Sequence, residues 1–323
     1  MMGPRLSRTV ALTLLIGIAV AALNCSGAPT APNTTSSTTT TVAGATTTVA
    51  TTTISTTTTT AQAGSGSTFI NTFGDTGWCG SPGMAPIAKQ LAALDGDILL
   101  AGDLAYDSGT AAEFTRCFDP DFGKFKPRIW ASPGNHDYVT GNANAYFSYF
   151  GDRAGASRTG YYAIREAGWK VLMLNSMVPI TNGSPQYEFV RQELRDAPLC
   201  TMAVMHHPFV SSGPNGPTPG LRDIWQLMFD NGVDVVIAGH DHFYERFAEL
   251  DANQREIPGR GIRLFVVGTG GAMLYARDHP QASSELLISD YGFLRMQLDP
   301  ALYRWQFIDR NGAVRDPGLN ICH

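Results

Sequence analysis

An α/β fold follows from the way apolar runs and polar turns alternate along this 323-residue chain. Three times between Phe69 and Asp137 a short apolar run ends in a Gly-containing turn rich in Asp, Asn or His. A segment with helical spacing separates one run from the next. A later apolar run, Val233 to Ala238, reads as a buried strand and ends in Gly239-His240-Asp241-His242. With 43% hydrophobic residues the chain can bury a large core.

Taken in order, Phe69 to Phe73 is a short strand running into Gly74-Asp75-Thr76-Gly77, and Pro86 to Leu94 has helical spacing with Ile87, Leu91 and Leu94 on one face. Asp97 to Ala101 is a strand ending in Gly102-Asp103-Leu104-Ala105-Tyr106, and a helix is expected around Thr110 to Phe118. The strand Arg128 to Ser132 leads into Pro133-Gly134-Asn135-His136-Asp137. Strand, polar turn and helix thus repeat as they do in an α/β sheet. The rhythm then changes: Tyr161 to Ile164 and Lys170 to Leu174 read as an antiparallel hairpin. A helix over Gln186 to Arg195, a strand over Thr201 to Met205 entering His206-His207-Pro208, a loop over Pro214 to Gly220 and a helix over Leu221 to Asp230 follow. After His242, Arg263 to Val267, Phe293 to Leu298 and Tyr303 to Ile308 read as antiparallel neighbours.

Residues 1–65 differ in kind. Arg5 and Arg8 precede the apolar run Val10 to Leu23, which at 14 residues is shorter than the about 20 a membrane span needs and has the length of an export signal. Cys25 follows, as in a bacterial lipoprotein signal, so residues 1–25 are expected to be a signal with a lipid anchor at Cys25, ordinary cleavage and release being the alternative. Of the 28 residues from Asn33 to Thr60, 17 are Thr, which bury too little apolar surface to offset ordering entropy. Residues 26–65 are therefore expected to be a disordered tether, and 66–323 a folded catalytic domain. Setting Cys25 aside leaves Cys79, Cys117, Cys200 and Cys322, an even number in an exported chain, which points to disulfides. Three pairings are open; we favour Cys79–Cys117 and Cys200–Cys322, the second pinning the C-terminus to the strand before His206. A net charge of −5 with no Lys/Arg run argues against a nucleic-acid polymer as partner.

The chemistry lies at the strand ends. Gly before Asp75 and before Asp103 lets the backbone turn tightly, so the carboxylates can face a cleft, although either Asp alone could cap a helix. Asp103 is placed to bridge two cations. With Asn135, His206 and His240 it makes one mixed oxygen and nitrogen donor set, and with Asp75 and His242 it makes a second.

These motifs, Gly74-Asp75-Thr76-Gly77, Gly102-Asp103-Leu104-Ala105-Tyr106, Gly134-Asn135-His136-Asp137, Val204-Met205-His206-His207-Pro208 and Gly239-His240-Asp241-His242-Phe243-Tyr244-Glu245-Arg246, resemble the five motifs of the calcineurin-like metallophosphoesterases. Tyr106 and the Tyr-Glu-Arg tail resemble the purple acid phosphatase branch. The resemblance implies a four-layer α/β/β/α sandwich with two metal ions at strand ends between the sheets. Many such enzymes carry a His two residues after the first Asp, where this chain has Gly77. Tyr106 is the replacement the resemblance suggests, unless it is only a core aromatic. A phenolate, whose free pKa is about 10, needs a strongly Lewis-acidic partner, so the expected metals are Fe(III) beside Tyr106 and a divalent Fe, Zn or Mn at the other set. His207 stands where plant members usually carry another residue, and the N-terminal β domain of the plant enzymes is not matched, so a compact bacterial type is implied.

The expected function is hydrolysis of small phosphate monoesters by a metal-activated water. His136 is the general acid or, alternatively, a side chain that orients Asp103; His207 contacts substrate or orients a ligand. Arg246 could reach phosphate or pair with an acid. Gly268-Thr269-Gly270-Gly271 lacks the Lys of a phosphate loop and reads as a tight turn. A phosphodiesterase or nucleotidase with two divalent ions, and a non-catalytic surface binding protein on the same fold, are the alternatives.

Overall fold

Two sheets form because the chain supplies two groups of parallel strands whose faces must both be covered. The computed structural model describes residues 66–323; the expected signal and threonine tether lie outside the described residues. In the first sheet β1 (Thr68–Phe73), β2 (Asp97–Ala101) and β3 (Ile129–Ser132) run parallel. The antiparallel series β11 (Gly292–Asp299), β12 (Leu302–Asp309) and β13 (Gly318–Ile321) extends it, in the order β13-β12-β11-β1-β2-β3. The second sheet has the order β10-β8-β9-β7-β6-β5-β4. Its strands are β4 (Tyr162–Glu166), β5 (Trp169–Met173), β6 (Thr201–Val204), β7 (Val235–Ala238), β8 (Tyr244–Leu250), β9 (Ile262–Val267) and β10 (Ser284–Ile288).

Side-chain alternation along the central strands of the second sheet sorts residues into two layers. Val204, Val235, Ile237, Phe265 and Val267 join Ile70, Leu99, Leu294 and Met296 in the core between the sheets. Ala203, Val236, Ala238, Leu264 and Val266 face the other way. There they are covered by Val190 of α6 (Pro185–Glu193) and by Ile224, Trp225 and Met228 of α7 (Arg222–Asp230). On the first sheet, α1 (Met84–Leu91) contributes Ile87 and Leu91 to the core. The short helices α2 (Ala111–Glu113) and α3 (Asp119–Phe122) flank a π turn, and Phe122 packs 5.3 Å from the Phe73 ring. The layers are helix, sheet, sheet, helix, as the resemblance implied.

The hairpin expected over 161–174 is β4 and β5. Both favoured disulfides are present: Cys79–Cys117 with Cα atoms 4.6 Å apart and Cys200–Cys322 at 5.3 Å. One pairing expectation fails. β11 and β12 are antiparallel neighbours, but β9 belongs to the other sheet, parallel to β7 and antiparallel to β8. The sequence reading passed over β8 because Glu245, Arg246 and Glu249 break its apolar pattern; Glu245 is nevertheless fully buried, accepting from the Ser212 amide and the Ser284 hydroxyl. The short, weakly apolar β10 and β13 were not expected either, nor were the short helices α4 (Asn135–Tyr138) and α5 (Asn144–Phe150).

Candidate metal centre

Because β1, β2, β3, β6, β7 and β9 each run parallel to a neighbour in their own sheets, their C-terminal ends gather at one edge, the place where open α/β sheets bind ligands. Hydrogen bonds tie the two sheets together there: Gly74 N–H donates to Val267 O at 2.9 Å, and the Ser132 hydroxyl to Val204 O at 3.2 Å. The 268–271 turn supports Asp75 from behind, with Gly270 N–H on Gly74 O and Ala272 N–H on Asp75 O. Asp75, Asp103 and His240 all sit in the left-handed region, with φ of 59°, 54° and 74°. That conformation costs an L-residue about 1–2 kcal/mol, and three side chains are turned inward by it. Gly134 is required beside them, since a Cβ would lie 2.2 Å from Asp103 Oδ1.

All seven side chains expected to bind metal come together. Asp103 Oδ2 is 3.1 Å from His206 Nε2, which is 3.0 Å from Asn135 Oδ1 and 3.2 Å from His240 Nδ1. On the other side of Asp103, Tyr106 Oη lies 3.1 Å from its Oδ2, 2.9 Å from Asp75 Oδ1 and 3.3 Å from His242 Nε2. His242 Nε2 is 3.3 Å from Asp75 Oδ1. Two ligands about 2.1 Å from one ion and at right angles are about 3.0 Å apart, so both sets have the spacing of a coordination sphere.

The hydrogen bonds behind the imidazoles sharpen this fit. His206 Nδ1 faces Ala101 O at 2.9 Å and His242 Nδ1 faces Met273 O at 2.8 Å. Carbonyls only accept, so both rings carry their proton on Nδ1 and, when neutral, turn a bare Nε2 toward the other donors. With both rings neutral, lone pairs face lone pairs in a buried space, an arrangement that a cation would satisfy. Taking the protein's own charges alone, burial would raise the Asp103 carboxyl, but the facing His206 holds it well below its usual range. Burial would lower His206, but the Asp103 carboxylate lifts it to about 9. Burial and the His206 charge push His240 down to about 2. Burial, then the charges of Asp75 and Asp103, drive the Tyr106 hydroxyl well above its ordinary value. The residues fit two cations sharing Asp103.

His136 and His207 flank the seven. The His136 amide donates to Asp103 Oδ1 at 2.7 Å, and its Nε2 stands 4.0 Å from Asp103 Oδ2. Its Nδ1 bonds to Asp107 O at 2.6 Å. His207 Nδ1 is 2.8 Å from Ser176 Oγ, and its ring centre is 4.3 Å from that of His240. Burial, then the His206 charge, lowers His207 to about 4. Arg246 does not reach the site; it pairs with Asp316 at 2.7 Å and with Glu285, so the ion-pair alternative holds.

Other supporting residues went unnoticed in the sequence. Asp137 is buried and accepts from the Gly134 and Leu104 amides, fixing both ligand-bearing turns. Tyr275 stacks on His242 at 4.1 Å and 17°. Ser176 holds His207. Only Asp137 carried a signal, as the acid three residues after Gly134 at a helix start.

Two facing sheets with candidate metal donors at their common edge have the metallophosphoesterase fold. The chain belongs to the calcineurin-like phosphoesterase family, whose model matches residues 71–244. Curated relatives that it resembles include purple acid phosphatases. Purple acid phosphatase 21 of Arabidopsis thaliana is 28% identical over 253 residues, covering 70% of this chain and 56% of that protein. Phosphoenolpyruvate phosphatase of Allium cepa is 25% identical over 248 residues, covering 64% of this chain and 51% of that protein. The chain thus spans about half the length of the curated relatives it matches. Among solved structures, the purple acid phosphatase PPD1 of yellow lupin (Lupinus luteus) has the same fold, with a TM-score of 0.70 and 19% identity over 80% of this chain and 54% of that one.

Proposed function

We propose that this chain is a dinuclear-metal phosphatase that hydrolyses small phosphate monoesters. The observation that carries the reading is the pair of donor sets sharing Asp103, each with one bare imidazole Nε2 held by a carbonyl behind it. Asp75, Asp103, Tyr106 and His242 would hold Fe(III), the ion suited to a phenolate, and Asp103, Asn135, His206 and His240 a divalent Fe, Zn or Mn. When bound, such a pair supplies Lewis acidity for the phosphate oxygens and lowers the pKa of the attacking water.

The chain's own residues do the rest. His136 keeps Nδ1 on the Asp107 carbonyl, so the proton it hands to the leaving alcohol comes from Nε2 of the imidazolium. His207, held by Ser176 and neutral, offers a hydrogen bond to substrate rather than a proton. Asp137 keeps the Gly134 and Leu104 backbone in place while substrate enters and leaves. We place this activity outside the cytoplasm. Two disulfides fit an oxidising compartment, and a signal over 1–25 with a lipid anchor at Cys25 and a tether over 26–65 would hold the catalytic domain, 66–323, at the cell surface.

The test is hydrolysis of an aryl phosphate monoester beside the matching diester by the purified chain, with and without chelator. Chelator-sensitive monoester turnover, abolished together with metal binding in Asp103→Ala, is the expected result. Diester preference would move the assignment to a phosphodiesterase, and metal-loaded chain inert toward both would sink the enzymatic reading. Retained activity in Asp103→Ala would sink the site.

A further inference from the structure

A cavity of about 400 Å³ is lined by Tyr138, Phe147, Arg158, Tyr161 and Val178 among others. An apolar cavity of about 150 Å³ takes one benzene ring, so this one has room for a ring with its substituents. Its walls are mostly aromatic and aliphatic. Among its lining residues the exposed Arg158 carries the sole charge, and it stacks over Phe147 at 5.2 Å. Tyr138 Oη accepts from Asn175 Nδ2 at 2.9 Å, and its own proton has no protein acceptor among the described residues. A cation and a free O–H donor at one aromatic pocket match a ligand that brings a ring and a carboxylate.

The pocket is built in advance and tied to the centre. Asn175 is fully buried and bonded on every side: Nδ2 to Tyr138 Oη and Thr159 O, Oδ1 from the Met177 amide, its backbone N–H and C=O to the Gln186 side chain. The next residue, Ser176, holds His207. Tyr138 shares the four residues of α4 with Asn135 and His136. Tyr138 and Asn175 thus link a wall of the cavity to the residues that carry His136 and hold His207.

We propose that this pocket receives the organic half of the substrate, an aromatic or cyclic group bearing a carboxylate, whose charge is met by Arg158. This rests on the phosphatase reading above, since it assigns the leaving group of that same site. The phosphate would occupy the centre while the leaving group lies along Tyr138 toward Arg158. On hydrolysis the ester oxygen leaves with that group and takes a proton from His136 Nε2.

Two probes separate the pocket from the activity. The first is the ratio of kcat/KM for 4-carboxyphenyl phosphate to that for phenyl phosphate. Wild type should favour the carboxylate, and Arg158→Gln should cut the ratio about ten-fold, the loss of one charge-assisted bond. The second is calorimetric binding of 4-hydroxybenzoate to the chelator-treated chain, which needs no turnover. Wild type should bind, Arg158→Gln about ten-fold more weakly, and Val178→Phe, which fills the cavity, not at all. Near-ultraviolet circular dichroism confirms that each variant is folded. Turnover of both esters with a ratio unchanged by Arg158→Gln would overturn the pocket and leave the phosphatase reading intact. Absent turnover with binding that falls in both variants would uphold the pocket and overturn the phosphatase. Absent or variant-independent binding overturns the pocket in either case.

Discussion

The two disulfides should separate stability from activity. Cys200–Cys322 closes 122 residues and Cys79–Cys117 closes 38. Closing the longer loop removes more entropy from the unfolded chain, giving about 5 and about 4 kcal/mol at 25 °C, a difference of about 1 kcal/mol. Position in the fold predicts the opposite order for activity. Cys200 precedes β6 while His206 follows it, so about 20 Å of extended chain separates this bond from the metal centre. Cys79 follows Trp78, whose ring lies 5.5 Å from that of Tyr106, which in turn is 4.4 Å from His136. The paired variants Cys200→Ala/Cys322→Ala and Cys79→Ala/Cys117→Ala would be compared by guanidinium unfolding and by kcat/KM per folded molecule. The first should have the lower unfolding free energy and the second the lower kcat/KM. If Cys79→Ala/Cys117→Ala proves the less stable pair and the more active one, both the loop-length and the positional reasoning are wrong.

Tyr106→Phe keeps the ring beside Trp78 and His136 and removes the hydroxyl shared by Asp75 and Asp103, so iron-loaded protein should lose its visible absorption band; an active, colourless, iron-free wild type would refute the phenolate assignment. Gly77→His should not restore a ligand. With φ at +62° and a Cβ only 2.2 Å from Leu104 O, it should lower stability by about 1–3 kcal/mol or more, read as a fall in Tm, and an unchanged Tm would refute the packing argument. His323 is held by Asp234 at 2.9 Å, and this hydrogen bond, opposed by burial, raises its pKa above the ordinary 6.5. The folded state then binds the proton more tightly than the unfolded one. The contribution is complete below the unfolded pKa and fades as pH rises through the folded one. The stability gap between wild type and His323→Gln should accordingly shrink as pH rises above the ordinary histidine value of about 6.5, and a gap that widens would reverse the sign.

Much of the site was legible because it is local. Each metal-binding candidate follows an apolar run by one to five residues, and a strand that ends in a Gly turn delivers its side chain to the sheet edge whatever the rest of the chain does. The cysteine pairing was legible only as a preference among three, since the distance between two cysteines is a property of the folded chain. The pairing of β9 was misread for a related reason. Its sequence Ile262–Val267 reads as a strand in either sheet, and what places it between β7 and β8 is the packing of Leu264 and Val266 against the α6 and α7 layer.

Tertiary structure also decided which polar groups serve the site. Arg246 follows the ligand motif closely, yet β8 carries it away to Asp316, while Ser176 and Tyr275, from distant segments, touch His207 and His242. The tautomers of His206 and His242 depend on carbonyls of Ala101 and Met273 on other strands and loops. The sequence alone determined the fold class, the order of the strand ends and the choice of candidate donors, since periodicity and turn chemistry are properties of neighbouring residues. The shared Asp103, the proton positions and the cavity beside Tyr138 belong to the fold, because each is set by groups that only the packing of two sheets brings within hydrogen-bonding reach.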